Sequence, residues 1–376
     1  MSPPVSIVRC PDYNEPKVSE ALREAIDLIG GIRAFVKRGN RVLLKPNLIM
    51  GKPPEKAVTT HPSILRAMIG LVREAGGIPF VGDSPGLGSA GGAAERSGLK
   101  RVANEMGCPL IEFDRPVVTE KRKGRTFRRL EIDRSVLEAD IVINLPKWKT
   151  HSQLLLTLGL KNLFGSIPGK RKALWHLQTG GDRKRFAEVL VDLYEVIQPA
   201  LTVLDGILAM EGNGPSSGNP VPIGLILASG DALSLDQVVC DLLEIPKDRL
   251  VTNQVAFERG LGQGAIEVVG ERVGDLVVSP FRLPSLSSVD WPLPRFLKRA
   301  IRNALSSRPA IRGAACQMCS RCIEICPAQA LEKGEKTPVF DYEKCIRCYC
   351  CQEICPEEAI GLKEGWGGRL VKKVEG

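Results

Sequence analysis

Residues 140–151 read DIVINLPKWKTH. The run Asp140–Asn144 is apolar and β-branched without strict alternation, the pattern of a strand buried on both faces. It then releases Lys147, Lys149 and His151 within five residues. A buried strand with charge and a titratable ring at its end suits an α/β sheet, where ligands sit beyond the carboxyl ends of the strands. Working outward, the pattern repeats. Strands are expected at Val5–Arg9, Arg41–Leu44, Ile78–Val81, Leu110–Phe113, Leu201–Leu204 and Ile223–Ala228. Helices are expected at Lys17–Lys37, Ser63–Glu74, Ala93–Glu105, Arg185–Ile197, Leu233–Leu243 and Asn253–Arg259. Such alternation predicts an α/β domain over residues 1–279, with a mostly parallel sheet and helices on both faces.

The strand ends carry the unusual residues. Lys45-Pro46-Asn47 follows one strand and Gly82-Asp83-Ser84-Pro85-Gly86 another. Asp205-Gly206 follows a third, with a loop Glu211–Pro215 beyond it, and Lys161 and Asn162 lie in the stretch 159–165. If Lys45, Lys147, Lys149 and Lys161 converge, the rim favours a small anion such as a carboxylate or phosphate, and crowding lowers their pKa values. His61 and His151 are candidate acid/base groups or metal ligands. Asp83, Asp205 and Glu211 would hold a hard cation or orient a lysine. Each could also be a lone strand-end residue. His176, beside Trp175 and after the basic run Lys170–Lys172, reads as structural.

Two further motifs are weak. Gly86, Gly88 and Gly91 form G-x-G-x-x-G, with Glu112 at 21 residues from the last glycine. A dinucleotide fingerprint would place its first glycine directly after the strand, and Asp83-Ser84-Pro85 intervenes. A loop at the site, with a helix N-terminus facing an anion, is the better reading. Residues 121–129, KRKGRTFRR, read as a solvated hairpin; nucleic-acid binding would need aromatic platforms, and only Phe127 is near.

The chain has 376 residues and a formal charge of +9, and nine of its twelve cysteines lie between Cys316 and Cys355. No apolar run reaches the ~18 residues of a membrane span, and no export signal opens the chain. A cytoplasmic protein is expected, so clustered cysteines point to metal or redox chemistry rather than disulfides. Residues 316–327, CQMCSRCIEICP, and 345–356, CIRCYCCQEICP, are two copies of C-x-x-C-x-x-C-x-x-x-C-P. Short steps wrap three thiolates around one iron–sulfur cubane, and the cysteine before proline reaches the other. Structural zinc is the alternative.

This repeat resembles the bacterial two-cluster ferredoxin module. The resemblance implies a small α+β domain over 313–364 and two [4Fe–4S] clusters. Cys316, Cys319, Cys322 and Cys355 would hold one, and Cys345, Cys348, Cys351 and Cys326 the other. Ser320 and Tyr349 stand where the module often has glycine, and Cys350 is an added thiol, read as no ligand. Residues 1–280 in turn resemble domain-of-unknown-function family 362, through LLKPNL at 43–48, TTHP at 59–62, GDSPG at 82–86, NLPKWKTH at 144–151, GLKNLFG at 159–165 and the Asp231–Asp236 segment. That family implies the architecture and no particular reaction.

Between the two parts, residues 280–312 are basic and proline-rich. Leu293, Phe296, Leu297, Ala300, Ile301 and Ala304 would share one helical face, packed on the main domain or laid on an anionic membrane. Residues 365–376 form a tail. Residues 313–376 net −1, leaving +10 for the rest, and each oxidised cluster would add about −2 to the module. Attraction predicts that the module docks over the large domain. Three functions stay open. The first is an iron–sulfur oxidoreductase passing electrons to a small anionic substrate at the strand ends. The others are a non-catalytic electron carrier or adaptor, its large domain recognising a redox partner protein, and a non-redox enzyme, isomerase-like, with structural or sensing clusters.

Overall fold

The computed structural model describes residues 2–120, 127, 129–276, 278, 280–284 and 307–363. The sheet strands in chain order are β1 Val5–Arg9, β2 Arg41–Pro46, β3 Ile78–Asp83 and β4 Leu110–Glu112. A separate hairpin follows, β5 Pro116–Glu120 and β6 Arg129–Asp133. The sheet resumes with β7 Ile141–Leu145, β8 Lys147–His151, β9 Leu155–Thr157, β10 Leu201–Glu211, β11 Asn219–Ser229 and β12 Val268–Gly270. Their order is β12-β1-β11-β10-β7-β2-β3-β4, with β8 pairing both β10 and β9. The sheet is mixed and mostly parallel. Only the β1–β11, β10–β11 and β8–β9 pairs of this sheet are antiparallel.

Strand side chains alternate between two cores, which is why the strands are apolar throughout. Val42 and Leu44 of β2 pack with the helices Glu15–Asp27, Pro62–Glu74, Ala90–Arg96 and Leu99–Glu105. Leu43 faces the other side, with the helices Arg183–Ile197 and Val251–Glu258. On β11, Ile226 and Ala228 join the first core, while Leu225 and Leu227 pack with the helix Ala232–Leu242.

Several expectations need correction. The single helix expected over Lys17–Lys37 is two, Glu15–Asp27 and Ile32–Phe35, because Gly30 and Gly31 take φ of 107° and 78°. Gly98, at φ 76°, likewise divides the stretch expected as Ala93–Glu105. Lys147–His151 is a strand and not a rim loop, and the strand expected to end at Leu204 continues to Glu211. Parallel pairing of Asp205 with Lys147 and of Met210 with Lys149, across a register shift, extends the sheet there. The hairpin β5–β6 flanks the basic run, of which residues 121–126 and 128 lie outside the described residues. So does the connector helix expected over 293–304. Among the described residues no helix is long and apolar enough to cross a membrane.

The C-terminal module has two small sheets. β13 Arg308–Ile311 pairs with β16 Ile360–Lys363, and β14 Leu331–Glu332 with β15 Val339–Phe340. Its short helices are Arg321–Ile325 and Cys350–Glu353. The sequence repeat is also a backbone repeat. Left-handed residues recur 29 apart: Met318 and Arg347 (φ 53° and 58°), Ser320 and Tyr349 (60° and 61°), Gln329 and Glu358 (50° and 53°). This explains the glycine usual at the second pair, since a side chain there costs about 1 kcal/mol. Tyr349 is fixed by its hydroxyl, which donates to Ser307 O at 2.8 Å.

The module lies against the α/β domain. Met50 and Ala173 of the domain pack with Ile325, Cys348, Cys350 and Ile354 of the module. Lys52 pairs with Glu358 at 2.6 Å and Lys170 with Glu324 at 2.7 Å. In both, the domain supplies the lysine and the module the glutamate, the polarity expected from the charge imbalance. Ser152 Oγ donates to Gln352 Oε1 at 3.0 Å, and Ser216 Oγ to Glu353 O at 2.8 Å.

Candidate functional site at the junction of domain and module

The ends of β2, β3 and β7 meet under a buried polar network. Lys45 Nζ donates to Asp83 Oδ1 at 2.7 Å, and the Leu48 N–H donates to Asp83 Oδ2 at 2.8 Å. Gly165 passes so close that a Cβ there would stand 1.9 Å from Asp83 Oδ1, so only glycine fits. Asn144, Asn162 and Asn47 bond in series, through Asn162 Nδ2 to Asn144 Oδ1 (2.8 Å) and Asn47 Nδ2 to Asn162 Oδ1 (2.9 Å). Lys149 Nζ closes the series on Asn47 Oδ1 at 2.9 Å and also donates to Val58 O at 2.5 Å.

The helix Gly159–Asn162 carries Lys161 and Asn162. Asp236 holds its start by accepting from the Gly159 and Leu160 N–H groups at 2.7 and 3.1 Å. Burial raises the Asp236 carboxyl to about 8 against those hydrogen bonds. Lys161 Nζ lies 4.9 Å from the Phe164 ring centre.

These residues open onto a cavity with about 90 Å³ of space for the centres of water-sized molecules. The α/β domain lines it with Asn47, Asp83, Lys149, His151, Lys161, Lys172 and His176. The module contributes Ile325, Cys350, Glu353 and Ile354. Lys172 Nζ donates to Ser84 Oγ and O and to Ile167 O at 2.8–3.0 Å. His151 Nδ1 accepts from the Gln153 and Leu154 N–H groups at 3.1 and 3.2 Å. The neutral ring therefore carries its proton on Nε2, 3.2 Å from Glu353 Oε1.

Burial dominates the titration. It lowers Lys149 to about 7, with Lys161 adding repulsion. It lowers Lys172 to about 7, against the attraction of Asp83. Lys161 and Lys45 also move down for want of water. His176 falls to about 3 and His151 is likewise lowered, so both rings are neutral near pH 7.

The expected site residues thus separate into two groups. Lys149, His151, Lys161 and Asp83 line the cavity, and Lys45 supports it from beneath. His61, Lys147 and Asp205 do not line it. They form a cluster of their own with Tyr13. Lys147 Nζ is 2.8 Å from Asp205 Oδ2 and donates to Tyr13 Oη at 2.6 Å. Tyr13 Oη donates to Asp205 Oδ1 at 2.7 Å. His61 stacks on Tyr13 at 3.5 Å, and its N–H donates to Asp205 Oδ2 at 2.9 Å. Burial drives His61 down to about 4. The carboxylates expected to hold a hard cation are occupied by protein donors. Glu211, too, is taken, by Arg282.

The anion at the helix N-terminus after the glycine pattern is Glu112, which accepts from Ala90 and Gly91 N–H at 2.7 and 2.8 Å. The protein fills that position itself. Sequence reasoning passed over Lys172, His176, Cys350 and Glu353 as site residues. Their only signals were the duplicated glutamate of the cysteine repeat and the basic run Lys170–Lys172.

The cysteines suit an iron–sulfur cradle by their placement. Cys316, Cys319, Cys322 and Cys355 line one small cavity, three from the first copy and one from the second. Burial raises the Cys351 thiol, and Cys348, Cys345 and Cys326, the other expected ligands of its set, raise it further, as does Cys322 of the first set. The Ala330 and Ala359 N–H groups donate to Cys326 and Cys355 Sγ, each at 3.2 Å. Such bonds stabilise thiolates bound to a cluster. An all-thiol donor set interleaved between two copies fits two such groups.

A family model described as Domain of unknown function (DUF362) matches residues 42–241, and one described as 4Fe-4S dicluster domain matches residues 308–356. A thylakoid-associated protein of Synechocystis sp. is 41% identical over 308 residues, which is 80% of this chain and 94% of that protein. The lactate racemase apoprotein of Thermoanaerobacterium thermosaccharolyticum superposes with a TM-score of 0.45 at 12% identity. That superposition covers 64% of this chain and 57% of the racemase.

Proposed function

This chain belongs to the DUF362 family and ends in a 4Fe-4S dicluster domain, and from that premise we propose that it is an iron–sulfur oxidoreductase acting on a small anion. The carrying observation is that Cys350, between the ligand positions Cys348 and Cys351, lines the same cavity as Lys149, His151, Lys161 and Lys172. Two [4Fe–4S] clusters, when bound by the two cysteine sets, supply single electrons within reach of that cavity.

The chain's own residues do the rest. Lys149, Lys161 and Lys172 attract the anion, and its charge restores their protonation against the cost of burial. Asn47 and Asn162 fix Lys149, so the anion meets a pre-set donor. His151 holds a proton on Nε2 at the cavity wall, and Lys149, near pH 7, holds another. Each electron received can then be matched by a proton from a group already in place. The module adds the apolar side chains Ile325 and Ile354 to the cavity wall.

The exposed Cys319 marks the side where a donor protein would approach. Among the described residues no cysteine is paired in a disulfide, which leaves the eight expected ligands available to clusters. The relative's thylakoid association raises a membrane-side donor as the source of electrons.

The test is anaerobic. The loaded protein is reduced, excess reductant is removed, and cluster absorbance is followed as small acids are added. At least one acid is expected to reoxidise the clusters. Lys161→Met is expected to slow this by ~10-fold or more, the worth of one charge-assisted contact. Clusters that stay reduced with every acid, and are reoxidised only by a partner protein, would make the chain a carrier. Turnover indifferent to cluster oxidation state would make it a non-redox enzyme.

A further inference from the structure

The cavity wall is divided by chemistry. Lys149, Asn47 and Asn162 form one connected polar network. Ile49, Ala173, Ile325 and Ile354 belong to one contiguous apolar cluster, and all four line the same cavity. Ile325 and Ile354 occupy equivalent places in the two cysteine copies, 29 residues apart, so both copies present an isoleucine to this space. Ile49 adopts φ 44°. A β-branched residue there is strained, and strain of this kind is kept where the surroundings hold a side chain in place.

The polar side is incomplete. Thr157 Oγ1 and His176 Nδ1 are buried without a hydrogen-bond partner, His151 Nε2 and Glu353 Oε1 face each other at 3.2 Å, and all four residues line the cavity. Buried polar atoms without partners are costly and call for a ligand or ordered water. A bare inorganic anion would satisfy the lysines and leave the isoleucines against water. An uncharged apolar molecule would leave the lysines and imidazoles unmet. The 90 Å³ open to the centres of water-sized molecules leaves room for several such groups, the scale of a small organic acid.

We propose that the ligand is a small monocarboxylate with an apolar body, a branched-chain or aryl acid of that size, its carboxylate on Lys149 and Lys161 and its body against Ile49, Ile325 and Ile354. This rests on the reading that the cavity takes an anion, and it names the class of that anion. Electron transfer is not needed for binding, so the two are tested apart.

The experiment is calorimetry on the oxidised, cluster-loaded protein under anaerobic conditions. Four probes are titrated: 3-methylbutanoate, benzoate, acetate and inorganic phosphate. At least one of the first two is expected to bind ~10-fold or more tightly than acetate, as two or more buried methylenes would give. Ile49→Ala is expected to lower that affinity several-fold and to leave acetate unchanged. If the variant does not fold, the probe series on the unaltered protein still decides. Acetate or phosphate binding as tightly as the larger acids overturns the apolar body and leaves the anion standing. No heat from any probe overturns both. Tight binding of a branched or aryl acid that never reoxidises reduced clusters supports the ligand class and removes the oxidoreductase.

Discussion

Cys319 stands exposed at the surface of the module, while Cys348, its counterpart 29 residues later, is buried against the α/β domain. The same contrast holds along the two copies. Glu324 pairs with the exposed Lys170, while Glu353 lies in the cavity beside His151. Arg321 in the first copy becomes the cavity-lining Cys350 in the second. The backbone turns and the N–H···S bonds are conserved between copies. Duplication therefore supplied a matched pair of cysteine loops, and divergence between the cysteine positions brought one of them to the cavity wall.

Breaking this contrast starts with the ligands. Cys348→Ala is expected to lower iron from about eight atoms per chain to about four or fewer and to abolish acid binding by calorimetry. Cys319→Ala is expected to lose iron as well but to keep the cavity wall and the binding. Equal loss of binding in both variants would mean that the module acts as one unit and the contrast is empty.

The paired glutamates give a smaller effect. Glu353→Gln removes a carboxylate from the space an anion would enter, and should tighten acid binding by ~10-fold. Glu324→Gln breaks an ion pair with both side chains about half exposed and should change stability by less than ~1 kcal/mol, with no change in binding. The two are compared by calorimetry and by denaturant midpoints.

The smallest effect sharpens the domain's half of the wall. Burial brings Lys149 and Lys172 to about 7. Their ammonium forms dominate below that pH and are lost above it. Acid affinity is thus expected to fall a few-fold between pH 6 and pH 8, with protons taken up on binding near pH 7, measurable as a buffer-dependent heat. A flat profile would separate these lysines from the ligand.

The dicluster motif was legible because it is written in cysteine spacing along the chain, and the family comparison finds the same domain at residues 308–356. The strands were legible because burial on two faces leaves continuous apolar runs. Lys147, Lys149 and His151 were legible as unusual residues but not as a strand, since Pro146 and the charges mask pairing that only β10 and β9 provide. Period-two alternation nonetheless puts the three on one face of β8. Their separate destinations, Asp205, Asn47 and Glu353, depend on elements far away in sequence. Glu353 and Cys350 could not be found as cavity residues without knowing how the module seats. His176 read as structural beside Trp175; its ring does lie tilted against Phe186, with centres 4.2 Å apart, while also lining the cavity.

Ile325, Cys350, Glu353 and Ile354 complete the cavity wall from the module, and small metal-binding modules generally depend on their metal to fold. A newly made chain that has not yet acquired iron would own the lysines and imidazoles but no finished pocket. Working sites would then rise and fall with cofactor delivery, and starvation for iron would leave molecules that idle rather than misfire.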